Sequence, residues 1–335
     1  MSAALAPLIG ARCRAWRGRV LSRFSCGAAR RTVRRHGAIA TAAAVPAWRA
    51  RPVRQGASGS AVAAVVARLT YTALTRSGPQ QAVGETVVVP GEPAEKWLRY
   101  NFRGRQVTLL AGPAVATGLC VAVATAPGLP HRLRAAAVTA AIGAGAFGAY
   151  DDVSGSAGAR GFTGHLRALR QGEVTTGAVK SAGIGVTGLA AAALLRHRAT
   201  GVDIVLDGLL IAGSANVLNL FDLRPGRAAK VVLLAGPPAL ADAEAAAVAG
   251  PLLGSAVALL PEEFGERAML GDAGANALGA VLGVTAAARL SRRARMGAVA
   301  TIAVLTAASE RVSLSRLIRA TPPLRRLDEL GRRPE

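Results

Sequence analysis

Long apolar stretches separated by short polar segments make up most of the chain after its first 56 residues. Nine of these stretches approach the roughly 20 residues that a helix needs to cross a bilayer. They lie at about 58–75, 107–128, 133–150, 178–195, 202–221, 228–243, 245–260, 273–290 and 297–310. The sixth and seventh contain Pro237, Pro238 and Pro251, and proline kinks or ends a helix. The pattern predicts an all-α fold, a polytopic membrane helix bundle of about nine to ten transmembrane helices.

The apolar stretches are built from small side chains rather than aromatic ones. Hydrophobic residues make up 51% of the 335 residues, whereas aromatic residues make up only 4%. Small residues let helices approach closely in lipid, where van der Waals contact drives their association. An Ala-rich soluble helical protein has a similar average composition, so it is the length of the stretches that favours the membrane.

Lysine and arginine are distributed unevenly between the two predicted faces. With nine spans, one face holds 76–106, 151–177, 222–230, 261–272 and the tail after 310, which together carry 19 Lys and Arg. The loops of the opposite face carry 8. By the positive-inside rule the first face is cytoplasmic. We therefore expect a multi-pass protein of the plasma membrane.

Residues 1–56 differ from the rest of the chain. They hold 12 Arg and no Lys, Asp or Glu, a composition shared by organelle transit peptides and by translated upstream sequence. We expect a disordered or artefactual extension here, a transmembrane domain at 57–318 and a basic cytoplasmic tail at 319–335. The extension inflates the net charge of +22. Because no basic–aromatic interleaving accompanies that charge, we expect no nucleic-acid partner.

Three acidic clusters lie where apolar stretches end, and all three fall on the predicted cytoplasmic face. A carboxylate in the middle of a membrane helix costs roughly 2.5–3.5 kcal/mol, so it normally faces a cavity, a cation or a partner. The first cluster is Asp151-Asp152, followed by Lys180 just inside the next stretch. These carboxylates can bind Mg²⁺ or act as a base, and Lys180 can reach a phosphate or pair with them. A solvated helix end and a snorkelling lysine are the alternatives.

The second cluster carries amides as well as a carboxylate. Asn216, Asn219 and Asp222 follow one another at i, i+3 spacing along a predicted helix face. Asn219 can offer a carbonyl oxygen to a metal, and Asp222 can bind a cation or a ribose. Arg224 and Arg227 come directly afterwards, where phosphates would need counter-charge. Asparagines that cap the end of a helix are the structural alternative.

The third cluster centres on Asp272, which has a glycine on each side at positions 271 and 274. Glycine permits close approach of a ligand to the backbone. A helix N-cap is the structural alternative for Asp272.

The order and spacing of these motifs resemble the polyprenyl-phosphate N-acetylhexosamine-1-phosphate transferases. This superfamily, glycosyltransferase family 4, includes phospho-N-acetylmuramoyl-pentapeptide transferase and UDP-GlcNAc:undecaprenyl-phosphate GlcNAc-1-phosphate transferase. The resemblance runs from about residue 100 to 331 and rests on the DD pair, the N-x-x-N-L-x-D segment and G-D-x-G-x-x-x-L-G.

The resemblance implies a Mg²⁺-dependent transfer of a phospho-sugar from UDP-N-acetylhexosamine to polyprenyl (undecaprenyl) phosphate, with release of UMP, in cell-wall or envelope glycan synthesis. Asp272 and Asn219 would hold Mg²⁺ against the diphosphate. Asp151 and Asp152 would position or deprotonate the lipid phosphate, with Lys180 as a phosphate contact. The predicted substrate-binding residues are Asn216, Asp222, Arg224, Arg227, Arg325 and Arg326. The partners would be these substrates and membrane lipid, and a homodimer stays open.

The chain departs from the family pattern at three places. Pro225 stands where relatives carry a second Asp, Met269 stands where an aromatic residue would stack on uracil, and the C-terminal tail has no His. Eukaryotic relatives carry arginines in that tail, which is why Arg325 and Arg326 are candidates. The departures leave one alternative open, a catalytically inactive family member that acts as a lipid-carrier or nucleotide-sugar binding scaffold. A secondary transporter would instead place its carboxylates near the midplane on broken helices.

Overall fold

The structure is a computed structural model that describes residues 47–76, 81–83, 86–88, 95–155, 161–196 and 200–332. The described residues belong to one compact unit, Val45–Glu335. Most of the predicted N-terminal extension, residues 1–46, lies outside the described part. Within the described residues, the first helix begins at Ala47.

The fold is all-α, as predicted, and helix accounts for 79% of the structure. The long helices are α1 (Ala47–Arg76), α2 (Ala111–Thr125), α3 (His131–Ser154), α5 (Thr176–Leu195), α6 (Gly201–Phe221), α8 (Ala243–Ala258), α10 (Gly271–Arg289) and α11 (Arg292–Ser309). The shorter helices are α4 (Gly161–Arg170), α7 (Arg227–Ala235), α9 (Leu260–Phe264), α12 (Leu314–Ala320) and α13 (Pro322–Glu329), with a 3-10 helix at Pro237–Ala241 between α7 and α8. Two antiparallel hairpins pair β1 (Gln81–Val83) with β2 (Thr86–Val88) and β3 (Leu98–Tyr100) with β4 (Gln106–Thr108).

The predicted number of nine to ten spans is wrong. Within the described residues, five helices are long and apolar enough to cross a membrane, or six if α11 and α12, which meet at an angle of 97°, form one broken span. The five are Arg54–Arg76, His131–Ser154, Thr176–Leu195, Gly201–Phe221 and Ala243–Phe264. The chain is therefore a membrane-embedded helical protein with fewer crossing helices than its apolar stretches suggest.

The missing spans have local physical causes. The stretch at 107–128 becomes the 15-residue helix α2, which is short for a bilayer. The stretch at 228–243 becomes the nine-residue α7 and a 3-10 turn that starts at Pro237, because proline removes a backbone donor and crowds the preceding turn. Helix α10 is long enough, but it carries Asp272 and Asn276 in its first two turns.

Several helices begin at side chains that satisfy their free N–H groups. Thr175 caps α5, Thr200 caps α6, Asp242 caps α8 and Ser291 caps α11, each accepting a hydrogen bond from the backbone three residues later. Such caps are worth about 1 kcal/mol each. They fix where the apolar helices start and so set the height of each in the bundle.

Helix α10 lies at the centre of the bundle and packs against α2, α3, α6 and α8. Backbones approach closely there because glycine faces them. A Cβ added at Gly148 of α3 would lie 2.7 Å from the backbone nitrogen of Ala273 and nearer still to the carbonyl of Asp272. Gly279 of α10 meets Ala215 of α6 in the same way. Large aliphatic side chains such as Val186 stay exposed on the outside of the bundle, as expected for a surface that meets lipid.

A charge network joins the helix ends farthest along the bundle from the acidic motifs. Asp207 of α6 is fully buried and accepts hydrogen bonds from Arg196, which follows α5, and from Arg295 of α11. Arg196 also donates to the carbonyl of Ala287 on α10, at 2.8 Å. Asp203 pairs with Arg295 at 3.4 Å. Four helices are thereby tied together at this end.

The contact at Gly148 can be tested by adding a single methyl group. We expect Gly148→Ala to lower the free energy of unfolding by about 1–3 kcal/mol, because the new methyl overlaps the backbone of α10. The measurement is thermal unfolding of the purified protein in detergent. Gly185→Ala on α5 is the matched control, since a Cβ there meets nothing within 4 Å. Equal stability of the two variants would contradict the packing described.

Candidate active site

An ammonium group lies between carboxylates from two other helices. Lys180, in the second turn of α5, donates to Asp151 at the end of α3, at 2.6 Å, and to Asp272 at the start of α10. All three side chains are largely buried, with 16 to 21% of each exposed. The sequence predicted that Lys180 could pair with the DD motif, whereas its contact with Asp272 follows only from the fold.

Asp152 is held by the first turn of α10. Its two carboxylate oxygens accept hydrogen bonds from the backbone N–H groups of Asp272, at 3.0 Å, and Ala273, at 2.9 Å. Free N–H groups and the helix dipole stabilise an anion at this position. The chain enters α10 through Gly271 at φ +60°, and a Cβ there would lie 3.0 Å from Asp152. Glycine is therefore required at 271, and Asp272 is a first-turn residue rather than the N-cap.

Asp222 follows the last residue of α6 and is buried. It accepts a hydrogen bond from the backbone of Gly271, but its Oδ1 has no partner among the described residues. Burial raises the pKa of this carboxyl well above its usual value, and the nearby charges of Glu263, Asp152 and Asp272 raise it further. Asp222 thus belongs electrostatically to the same acidic group.

A polar cavity of 340 Å³ opens beside Lys180. Asn216 and Asn219 lie on one face of α6, as their spacing predicted, and both line the cavity; Asn216 also donates to Thr306 of α11 at 3.1 Å. Asn276 of α10 lines it as well. Only 1% of Asn276 is exposed, and its Nδ2 has no partner in the described chain. The cavity therefore presents a cation and a buried amide donor to any ligand that carries acceptor oxygens.

The polar cavity continues into an apolar groove of 720 Å³ between α6 and α11. The two share Ala212, Asn216, Thr306 and Glu310 in their linings. The rest of the groove is mainly aliphatic, with Leu209, Val299 and Ile302 among its lining residues, and part of it is open at the outer surface of the bundle. A ligand with a polar head and an apolar chain could occupy both.

The predicted substrate-binding arginines do not lie at this cavity. Arg224 and Arg227 are buried and contact Asp328 of α13, at 3.7 and 2.8 Å. Arg325 and Arg326 lie exposed on α13, and Arg325 pairs with Glu329 at 4.0 Å. The sequence motifs could not show where α13 packs, and that packing decides what Arg224 and Arg227 contact.

Three further residues belong to the region and were not predicted. Glu263 of α9 is buried and accepts hydrogen bonds from the backbones of Gly226 and Leu270, which ties the loop after Asp222 to the start of α10. His165 lines the polar cavity and lies 2.8 Å from the Thr175 hydroxyl. Asn276 stands at a variable position of the G-D-x-G-x-x-x-L-G segment. An amide side chain is unusual in a helix built of small apolar residues, and this feature of the sequence could have singled out Asn276.

The donor set fits a divalent cation that a substrate helps to hold. Three carboxylates, those of Asp151, Asp152 and Asp272, lie near the single positive charge of Lys180. Asp222 has a buried oxygen without a partner in the described chain, and Asn219 lies at the adjoining cavity. Within the described ranges, no three His, Cys, Asp or Glu side chains are grouped closely enough to form a complete site. Mg²⁺ commonly uses one or two carboxylates and fills its octahedron with water and substrate phosphates. The residues present suit that mode rather than a closed protein cage.

Fold and site together define a membrane-embedded helical protein with a buried acidic site and one lysine at one end of its bundle. A scan of protein-family models and a search of curated proteins found no match for the chain.

The raised pKa of Asp222 predicts a pH-dependent effect on stability. A carboxyl whose pKa is higher in the folded state destabilises the fold as the pH rises above its unfolded value, about 3.9. We expect Asp222→Asn to be more stable than wild type at pH 7 to 8, and to lose that advantage below about pH 4. Thermal unfolding in detergent across this range measures it. Asp242→Asn, at an exposed helix cap, is the control, and a pH-independent difference for Asp222→Asn would contradict the prediction.

Proposed function

We propose that the protein transfers a phospho-N-acetylhexosamine from a UDP-sugar to a polyprenyl phosphate and releases UMP. The observation that carries the proposal is the Lys180 ammonium between Asp151 and Asp272, beside a polar cavity that continues into an apolar groove. The ordered resemblance of the three motifs supports the same reaction class. We further propose that this end of the bundle faces the cytoplasm at the plasma membrane and serves cell-wall glycan synthesis, including peptidoglycan.

The acceptor fits the joined cavity and groove. Its phosphate would lie at the Lys180 ammonium and accept hydrogen bonds from Asn276 Nδ2, the buried donor that has no protein partner in the described chain. Its apolar chain would lie between α6 and α11, where the groove opens at the outer surface of the bundle. A charge-assisted hydrogen bond to phosphate is about twice as strong as a neutral one, so Lys180 would fix the head group.

The transfer forms one bond to phosphorus and breaks another. An oxygen of the acceptor phosphate attacks the sugar-linked phosphorus of the donor, and the bond from that phosphorus to the bridging oxygen breaks. The bond's electron pair leaves with UMP. Enzymes accelerate such transfers mainly by positioning the reactants and stabilising charge.

The acidic residues would divide this work. Asp152 is fully engaged by the first turn of α10, so we assign it to positioning Asp272. Asp151 would orient Lys180 and accept a proton from the acceptor phosphate. Asp272 and Asn219 would hold Mg²⁺, with Asp222 close to them, and the ion would neutralise charge on the donor diphosphate. Asn216, Arg224, Arg227, Arg325 and Arg326 stay predictions as substrate contacts.

The direct test is UMP release by the purified protein in detergent with Mg²⁺, undecaprenyl phosphate and a panel of UDP-N-acetylhexosamines. We expect release with one sugar and its loss in Asp272→Asn. Asp242→Asn is the matched control, because it removes an exposed carboxylate elsewhere. Silence of wild type across the panel, with nucleotide still bound, would replace the transferase with the inactive binding scaffold.

Lys180 provides a sharper test of the geometry. We expect Lys180→Gln to lower kcat/KM for UMP release by roughly 100-fold or more, the cost of losing one preorganised charge contact. The substitution also leaves Asp151 and Asp272 facing each other, so a stability effect must be separated from a catalytic one.

The double variant Lys180→Gln/Asp151→Asn makes that separation. It should regain thermal stability, because the repulsion is gone, while activity stays lost. Lys96→Gln, at an exposed position, is the control for removing a lysine. Recovery of activity in the double variant would mean that Lys180 only balances charge.

A further inference from the structure

A second charged cluster lies at the C-terminal helix, and its members do not contact Lys180. Asp328 of α13 accepts two hydrogen bonds from the guanidinium of Arg227, at 2.8 and 3.0 Å. Arg332 donates to the same carboxylate at 3.2 Å, and Arg224 lies 3.7 Å away. Lys230 donates to the main-chain carbonyl of Asp328 at 2.6 Å. We call these five residues the tail cluster.

The tail cluster holds four cations around one carboxylate, and it is buried. Between 4 and 9% of the side chains of Arg224, Arg227, Arg332 and Asp328 is exposed. Burying a charge without a partner is costly, because the interior does not replace the lost water. A single carboxylate cannot neutralise four buried cations.

One member has hydrogen-bonding capacity left over. The Nε and Nη2 atoms of Arg332 are buried and have no acceptor among the residues that the structure describes. The guanidinium lies over the ring of Phe102, 4.7 Å from its centroid, and Arg224 lies over the same ring at 4.3 Å. Phe102 thus packs against both guanidinium planes, and it is Arg332 whose edge N–H groups lack an acceptor in the described chain.

The pKa values of three basic residues in the tail cluster are lowered, as expected where buried positive charge exceeds negative charge. Burial lowers the pKa of Lys230 to about 8, and the charges of Arg332 and Arg227 lower it further against the opposing effects of Asp328 and Glu263. Burial and the neighbouring arginines also lower the pKa of Arg224 and Arg332.

Two further acids lie near the tail cluster, where Glu266 raises the pKa of Arg332 and Glu263 that of Lys230, but each also has partners of its own. Glu266 pairs with Arg103 at 2.9 Å and with Arg105 at 3.6 Å. Glu263 accepts backbone hydrogen bonds.

We propose that the tail cluster is a binding site for a phosphate-bearing anion, and that Asp328 is an internal occupant which such an anion displaces. The fork of a guanidinium matches phosphate and carboxylate geometry equally well. A phosphate ester or diphosphate brings more charge than Asp328 and more oxygens, enough to accept from the unpartnered N–H groups of Arg332. The ligand is either a soluble phosphate or the head group of an anionic lipid. Arg224 and Arg227 are also predicted substrate contacts of the proposed transferase, whereas Arg332, Lys230 and Asp328 are not, so the tests below change Arg332 and Asp328.

The test for a soluble ligand is thermal unfolding of the full chain in neutral detergent with inorganic pyrophosphate, at constant ionic strength and without divalent cations. Wild type should be stabilised in a saturable manner, because a ligand that binds only the folded state raises stability by mass action. Arg332→Gln should weaken the apparent affinity by about tenfold or more, the usual value of a charge-assisted hydrogen bond. Arg293→Gln, exposed at the opposite end of the bundle, should keep it.

A lipid source is distinguished in nanodiscs. If the head group is the ligand, nanodiscs with phosphatidic acid should stabilise wild type and Arg293→Gln relative to phosphatidylcholine, but not Arg332→Gln, while pyrophosphate has little effect. No stabilisation of wild type by either probe, or equal stabilisation of Arg332→Gln, would overturn the proposal.

Asp328→Asn keeps the test decisive if Arg332→Gln does not fold. Removing the internal anion should lower the melting temperature without ligand and raise the apparent affinity for pyrophosphate or phosphatidic acid by about threefold or more. An unchanged or weaker affinity in Asp328→Asn would show that the carboxylate is a structural partner and that no exchange occurs.

Discussion

The ammonium of Lys180 holds together two carboxylates that would otherwise repel each other inside a bundle. Asp151 and Asp272 come from helices that pack through glycine, so little room exists for the carboxylates to move apart. In surroundings of low polarity the repulsion of like charges is several times stronger than in water. One lysine on a third helix removes it, and the positions of α3, α5 and α10 become interdependent.

The opposite end of the bundle uses the inverse arrangement. There one fully buried carboxylate, Asp207, is shared by Arg196 and Arg295. Removing one partner of a buried ion pair leaves an uncompensated charge, which costs about 3–5 kcal/mol. The two networks act on overlapping sets of helices, since α5 and α10 take part in both.

The all-α class followed from the apolar stretches, and the motifs singled out the residues that surround Lys180. Apolar length alone could not show where a helix breaks. Proline at 237 and 238 starts a 3-10 turn, and α10 is filled with small residues although it begins with Asp272. The sequence also could not show which residues Arg224 and Arg227 contact. Both lie near Asp328, which stands 101 residues after Arg227 in the chain. Glu263 escaped notice because it binds backbone, and backbone hydrogen bonds leave no pattern in a sequence.

The angle of 97° between α11 and α12 turns the chain across the end of the bundle, beside a groove that opens at the outer surface. The lipid acceptor proposed above would enter such a groove from the plane of the bilayer and not from bulk water. Its encounter rate then depends on its mole fraction among the surrounding lipids and on lateral diffusion. Adding detergent at a fixed amount of ligand dilutes that ligand at the surface, so occupancy of the groove falls although the bulk concentration is unchanged.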